Sequence, residues 1–295
     1  MHSWFIVLDI FNIVCLTFVI LVLFVFLLTI TFDKTCHTIP MIHIANSCLA
    51  TLICASDIYW ISVCTLRNDL QQIYNEYLFC IFGGYLTYVT CAVLNYSFLL
   101  QAFYRYVIVT YPSNLFWQSQ RCQILFAIVA WAYALIFPIT FMFNGEIIYN
   151  MHNQICQIPL RLSFTMIFVT MSLYVSPLLL TILIYYRLVR YVYRMNKRII
   201  PVNTLSRAQN ELKMVRRTVT LLCTVFIIDF PYALFLFISF FTIPPRYHFR
   251  IAYVFINVGL ACVIIILFQF TEQLRSSVLK IFNLQLGTTT EPNNT

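Results

Sequence analysis

Two sets of side chains in this sequence have types and positions that could do chemistry. The first is a pair of acids standing in otherwise apolar runs, Asp57 and Asp229. A charge at the centre of a bilayer costs at least about 2.5–3.5 kcal/mol, so such groups face a protein interior. There they are either protonated and hydrogen-bonded as structural acids, or they meet a cationic or hydrogen-bonding ligand group. Asp229 is the stronger ligand candidate because Pro231 follows it, and proline kinks a helix by removing a hydrogen bond. Thr87, Tyr88, Asn95, Tyr232 and Tyr253 are polar residues that could line the same cavity. The second set is Arg105, flanked by Tyr104 and Tyr106, together with Glu211 and Tyr185. An arginine on one helix and a glutamate on another, at one depth, can form a charge-assisted latch. The bland alternative for Arg105 is an arginine that snorkels from a helix end. His43 and His248 read as structural or exposed, and no metal-ligand spacing appears, so no metal or other cofactor is expected.

The elements that must position these groups follow from composition. Of 295 residues, 61% are hydrophobic and only 9% charged, whereas soluble domains carry about 25% charged residues. Charge-free windows run 10–32, 35–56, 77–104, 122–145, 162–186 and 251–271, and 218–245 is interrupted only by Asp229. About 20 apolar residues span the hydrocarbon core as a helix, and lipid requires every backbone amide to be satisfied internally. The windows therefore predict an all-α membrane protein, a seven-transmembrane helix bundle. Its spans lie near 4–31, 41–64, 78–110, 123–144, 164–193, 212–242 and 249–271, within a single membrane domain of residues 1–271. Leu274, Val278, Ile281 and Phe282 follow helical spacing among polar neighbours. That stripe predicts a short amphipathic eighth helix over 272–285 in the membrane interface, followed by a disordered tail over 286–295.

Orientation follows from lysine and arginine. With the amino end outside, only Arg67, Arg161, Arg246 and Arg250 of the 18 basic residues lie outside, which the positive-inside rule favours. The carboxyl end is then cytosolic and the chain a multi-pass protein of the plasma membrane. The first apolar run is too long and lacks the basic start of a cleavable signal, so it reads as a span. The net charge of +8 reflects a basic inner face that contacts anionic lipid headgroups and acidic cytosolic partners; it does not mark a nucleic-acid site. A basic stretch near 194–211 is either an ordinary anchor or a docking surface. The sequon at Asn95 lies inside a span and that at Asn293 in the tail, so no N-glycan is expected. Most of the 11 cysteines fall within spans. Cys80 and Cys156 fall at the oxidising outer face and are the favoured disulfide pair. Cys64 is the competing partner.

Depth arithmetic then relates the two ends. Arg105 stands about 25 residues after Cys80, about 37 Å along a helix, so it lies at the cytosolic mouth. Glu211 precedes Pro231 by about 20 residues, or about 30 Å, and reaches the same side. This constellation resembles the rhodopsin-like (class A) family of G-protein-coupled receptors over nearly the whole chain. Cys80 and Arg105 match the cysteine that opens the third helix and the arginine of the Asp-Arg-Tyr motif. Asn46-Ser-Cys-Leu-Ala-Thr51 is similar to the second-helix Asn-Leu-Ala-x-Ala-Asp pattern. Trp131, Pro177, Tyr185, Glu211 and Pro231 match landmarks of helices four to six, and Leu274-Arg275 resembles the Phe-Arg opening the eighth helix. The Cys36-His-Thr-Ile-Pro40 and Ala45-Asn-Ser-Cys-Leu-Ala50 runs resemble an expanded invertebrate family of orphan receptors. Departures are as informative. Tyr104 replaces the acidic partner of the arginine, and Thr51 the sodium-binding aspartate. Asp229-Phe-Pro231 replaces Trp-x-Pro, and Val263-Ile-Ile-Ile-Leu267 replaces Asn-Pro-x-x-Tyr. Thr87 stands where amine receptors place an aspartate.

The resemblance implies a cell-surface receptor that binds an extracellular small-molecule or peptide ligand and activates a heterotrimeric G protein. It implies a switch built from Arg105, Tyr104, Tyr106, Tyr185, Glu211 and Pro231. The ligand-pocket candidates are Asp229, Asp57, Thr87, Tyr88, Tyr232 and Tyr253. The alternatives are a channel or transporter, a membrane-embedded enzyme and an inert seven-helix scaffold. A channel would show polar rings or paired broken helices, and an enzyme clustered acids or histidines at one depth; neither pattern is visible.

Overall fold

The computed structural model describes residues 3–71, 79–196 and 230–288, together with 219, 220, 223 and 227. Glu211 and Asp229 lie outside the described residues, so neither the latch nor the acid beside Pro231 is described.

Helix α1 (Ser3–Phe32) contains neither proline nor glycine and only one charged residue, Asp9. Its faces are told apart by burial alone. Asn12, Leu16, Val19, Leu23, Phe26 and Ile30 are buried, at alternating spacings of four and three. Val7, Phe11, Val14, Phe18, Leu21 and Val25 are exposed on the opposite face. An apolar exposed stripe on a helix of this length is what lipid solvation requires. A 3-10 turn, Lys34–Cys36, leads to α2 (Ile39–Gln71). This helix runs past the expected end at 64 because Asp69, which would cap a span if left in water, is buried and paired.

Helix α3 (Cys80–Thr110) runs through the middle of the bundle, against α2 on one side and α5 (Gln120–Phe143) on the other. A short turn of helix, α4 (Leu115–Gln118), connects them, and Ser119 caps α5 by accepting from the Cys122 amide at 3.4 Å. Side-chain hydrogen bonds tie the three together. Asn46 Nδ2 donates to Ser97 Oγ at 2.6 Å, and Trp131 Nε1 donates to Asn46 Oδ1 at 2.8 Å.

The next span is broken internally. Helix α6 (Phe164–Thr170) passes through a π-helical turn, Met171–Val175, into α7 (Ser176–Asn196). Pro177 has no amide hydrogen, so the carbonyl one turn back at Leu173 loses its helical donor. Asn95 of α3 supplies the replacement, its Nδ2 donating to Leu173 O at 2.9 Å. Tyr96 donates to the neighbouring Ser172 O at 3.2 Å.

Helix α8 (Phe230–Ser239) is a shorter apolar helix, and α9 (His248–Phe270) packs beside α1. Helix α10 (Glu272–Thr288) turns away and seats Leu274, Ser277 and Val278 in the bundle. Thr38 Oγ1 donates to Gln273 Oε1 at 3.4 Å, joining α10 to the first turn after α1. Six described helices are long and apolar enough to cross a membrane, and α8 is a shorter apolar helix among the described residues. The chain is a multi-pass membrane protein with a seven-helix bundle and an eighth helix.

The main departure from helix is a hairpin, β1 (Ile148–Asn150) and β2 (Ile155–Gln157), antiparallel with Tyr149 opposite Cys156. A disulfide joins Cys80, the first residue of α3, to Cys156. Cys64, the competing partner, is a free thiol.

Candidate functional site

The candidate site residues fall at two ends of the bundle, one carrying the hairpin and the other carrying Arg105. At the hairpin end, Asn150 shapes the turn by accepting from the amides of His152 and Asn153, both at 3.1 Å. Gln154 takes the left-handed conformation, φ 57°. The turn thereby drives Asn153 inward, where it is fully enclosed. Helix α9 starts there with unsatisfied amides, as every helix does. Asn153 Oδ1 accepts from two of them, Phe249 at 3.1 Å and Arg250 at 3.3 Å. The hairpin thus caps a helix remote in sequence.

Arg250 is buried beside this cap. Its Nη1 donates to Asp69 Oδ2 at 2.6 Å and its Nη2 to Asp69 Oδ1 at 3.3 Å, a two-pronged pair. Its Nε donates to Asn153 O at 3.3 Å. Gln154 Nε2 donates to Asp69 Oδ1 at 2.7 Å, and Asp9 Oδ2 lies 3.9 Å from Arg250 Nη1. The guanidinium also sits 5.1 Å from the ring centre of Phe5. One guanidinium therefore joins α1, α2, α9 and the hairpin turn. By sequence, Arg250 counts only among the four basic residues on the outer side, and Asp69 carries no signal of its own. The only sequence signal for this cluster was Asp9, an acid within the first apolar helix.

Below the hairpin lie four of the candidate pocket residues. The Ile158 amide donates to Tyr88 OH at 3.2 Å, and Gln157 Nε2 donates to Tyr253 OH at 2.7 Å. Thr87 Oγ1 donates to Asp57 Oδ2 at 2.7 Å. Ile147, Ile155, Ile158 and Leu160 join the apolar core there. The hairpin strand is a lid bonded to the polar side chains beneath it. Tyr232 is half-buried with its ring 6.4 Å from Phe249. Tyr88, Tyr253 and the Asp57–Thr87 pair thus gather under one lid, while Asp229 lies outside the described residues.

At the other end Arg105 is half-buried, in the last turns of α3. Tyr104 is buried, its ring 5.5 Å from His43. His43 Nε2 shares a hydrogen bond of 3.1 Å with Gln123 Oε1. Tyr106 meets Tyr111 edge-on at 6.3 Å. Tyr185 is buried in a small cluster with Ala102, Val109, Leu188 and Val192. Pro231 stands near the start of α8. Thr51, at the place of the family aspartate, donates to its own helix at Ser47 O, 2.8 Å away. Gln101 Nε2 meets Ser47 Oγ at 3.1 Å. Among the described residues no three His, Cys, Asp or Glu side chains converge as a metal site would.

This architecture has a counterpart in sequence. The model of the family described as "7 transmembrane receptor (rhodopsin family)" matches residues 20–267. The chain belongs to this family. It is a rhodopsin-family G-protein-coupled receptor in the general sense. The fold agrees: the receptor superposes on a crystal structure of squid rhodopsin with a TM-score of 0.79, covering 99% of this chain and 89% of that one. The two sequences are only 14% identical, so that likeness concerns the fold alone. No curated protein matches the receptor's sequence.

Proposed function

We propose that this receptor binds an extracellular small-molecule or peptide ligand within the hairpin end of its bundle and activates a heterotrimeric G protein at the Arg105 end. The family match carries this reading, because it runs through both ends of the bundle. Three features support the orientation. The hairpin end holds the disulfide, which forms in oxidising compartments. The basic residues are concentrated towards the opposite side. Helix α10 leaves the bundle on the side of Lys34–Cys36, as a juxtamembrane helix does.

The ligand acts by differential affinity for two arrangements of the bundle. Its contacts are drawn from Asp57, Thr87, Tyr88, Tyr232 and Tyr253, with Asp229 beside the proline. The lid couples those residues to α9 through Asn153, Gln157 and Arg250. The inner switch comprises Arg105, Tyr104, Tyr106, Tyr185, Glu211 and Pro231. In the resting state Arg105 and Glu211 form the latch. Release lets the inner end of the sixth span swing out and opens a basic cleft to the G protein. The Asp57–Thr87 bond favours ligands that carry a hydrogen-bonding group into that layer.

The test is basal signalling of Glu211→Gln in cells, normalised to surface expression. The expected result is basal second-messenger output above wild type. Unchanged output at normal surface expression removes the latch from the account.

A further inference from the structure

The charge cluster at the hairpin end is incomplete. It holds two buried carboxylates, Asp9 and Asp69, against one guanidinium. Asp69 takes both Nη groups of Arg250 and an amide hydrogen from Gln154. Asp9 has only the longer contact at 3.9 Å, and its Oδ2 has no hydrogen-bond partner among the described residues. Gln154 is 1% exposed, and its Oε1 is also unpartnered among the described residues. Two enclosed acceptors thus lack a hydrogen-bond donor among the described residues, and a buried acid held only by a long ion-pair contact is costly.

A recess of about 220 Å³ opens directly over this cluster. Phe5, Asp69, Met151, Gln154, Tyr247, Arg250 and the exposed His152 line it, while Asp9 lies outside this lining, one helical turn from Phe5. Phe5 and Tyr247 have their ring centres 4.5 Å apart, so one wall is aromatic. The volume is below the roughly 300–1,000 Å³ of a drug-sized site, so it suits a head group.

We propose that this recess binds the protonated primary amine of a ligand, with the ammonium donating to Asp9 Oδ2 and Gln154 Oε1. The chemistry chooses the sign. Three of the five N–H groups of Arg250 already donate to Asp69 and Asn153, and two carboxyl groups already face its single positive charge, so an anion would add a third negative group to the cluster. A cation supplies the missing charge, both missing donors and a partner for the aromatic wall. Both acceptor oxygens are enclosed, so Phe5, one helical turn above Asp9, shifts to admit the ammonium. The proposal rests on the receptor reading for its biological meaning, but binding itself needs no G protein.

The experiment uses the purified full chain in lipid nanodiscs without G protein, with phenethylamine as the probe. Phenylethanol and phenylacetate are its neutral and anionic controls, and binding is read by ligand-observed NMR titration. Phenethylamine binds and the controls do not. Asp9→Asn weakens binding about tenfold or more, equivalent to about 1.4 kcal/mol or more. His152→Lys, on the exposed rim, weakens it without lowering the melting temperature, and His152→Glu tightens it. Glu146→Gln, outside the recess, leaves it unchanged. Equal binding of phenylethanol, no binding at millimolar phenethylamine, or wild-type affinity in both Asp9→Asn and His152→Lys would overturn the proposal. Binding lost in Asp57→Asn but kept in Asp9→Asn would also overturn it, by moving the amine beneath the lid. A receptor that binds the amine here yet never activates a G protein would leave this site standing and remove the signalling reading.

Discussion

Gly84 and Cys156 approach so closely that a β-carbon on Gly84 would overlap the Cys156 carbonyl oxygen. The same β-carbon would lie 2.9 Å from Ile147 Cγ2. The lid therefore rests on the bare backbone of α3 one turn below the disulfide. Backbone contacts of this kind are set by the absence of a side chain, which is why glycine is needed at position 84.

Gly84→Ala consequently lifts the hairpin. Overpacking of this type costs typically about 1–3 kcal/mol. The melting temperature falls, and the Ile158 amide, held by Tyr88, loses protection from hydrogen exchange. Unchanged exchange at Ile155–Ile158 in the variant would show that the lid does not bear on Gly84.

Arg250→Gln is more damaging than Asp69→Asn. Removing one partner of a buried ion pair costs about 3–5 kcal/mol because the other charge is left uncompensated. Loss of Arg250 strands two carboxylates, Asp69 and Asp9, and removes a donor from Asn153. Loss of Asp69 leaves Arg250 with Asp9 at 3.9 Å to close upon. Melting temperatures of the two purified variants check this order. Equal losses would mean that Asp9 does not share the charge.

The contrast between these sites shows what was legible in the sequence. Membrane insertion, the helical bundle and the eighth helix follow from charge-free runs and helical spacing, because lipid imposes one solution on a long apolar segment. The Cys80–Cys156 pair was visible as two cysteines at one face, and the bond settles it against Cys64. The Asp69–Arg250 pair was not visible. Each residue alone looks like an ordinary charge at a span boundary, and the pairing joins segments 181 positions apart. Asn153 was equally hidden, since a polar loop residue gives no sign that a turn will bury it under a helix terminus. Tyr88 and Tyr253 could be singled out as polar groups within spans, but the strand that engages them through Ile158 and Gln157 could not.

The junction of α10 with the first turn carries a pH dependence. Asp33 sits outside the spans, and its carboxyl is pulled down to about 2. The Ser277 hydroxyl is the main cause, followed by the amide and hydroxyl of Thr35, which donate at 2.9 and 2.8 Å. A depressed carboxylate stabilises the fold above its unfolded value near 4, and that contribution is lost as pH falls towards the folded value. Hydrogen-exchange protection at Thr35 and over 272–278 is therefore constant at pH 6 to 5 and declines between about pH 4 and 2. In Asp33→Asn the decline between about pH 4 and 2 is absent. The same decline in both proteins would assign it to other groups.

The whole functional account requires the lid and recess to face the outside and Arg105 and α10 to face the cytosol. Epitope accessibility in cells expressing the full chain tests this most directly, with a tag at either terminus. An antibody should label the amino-terminal tag on intact cells and the carboxyl-terminal tag only after permeabilisation. Labelling of the carboxyl-terminal tag on intact cells would place the switch outside the cell and contradict the account.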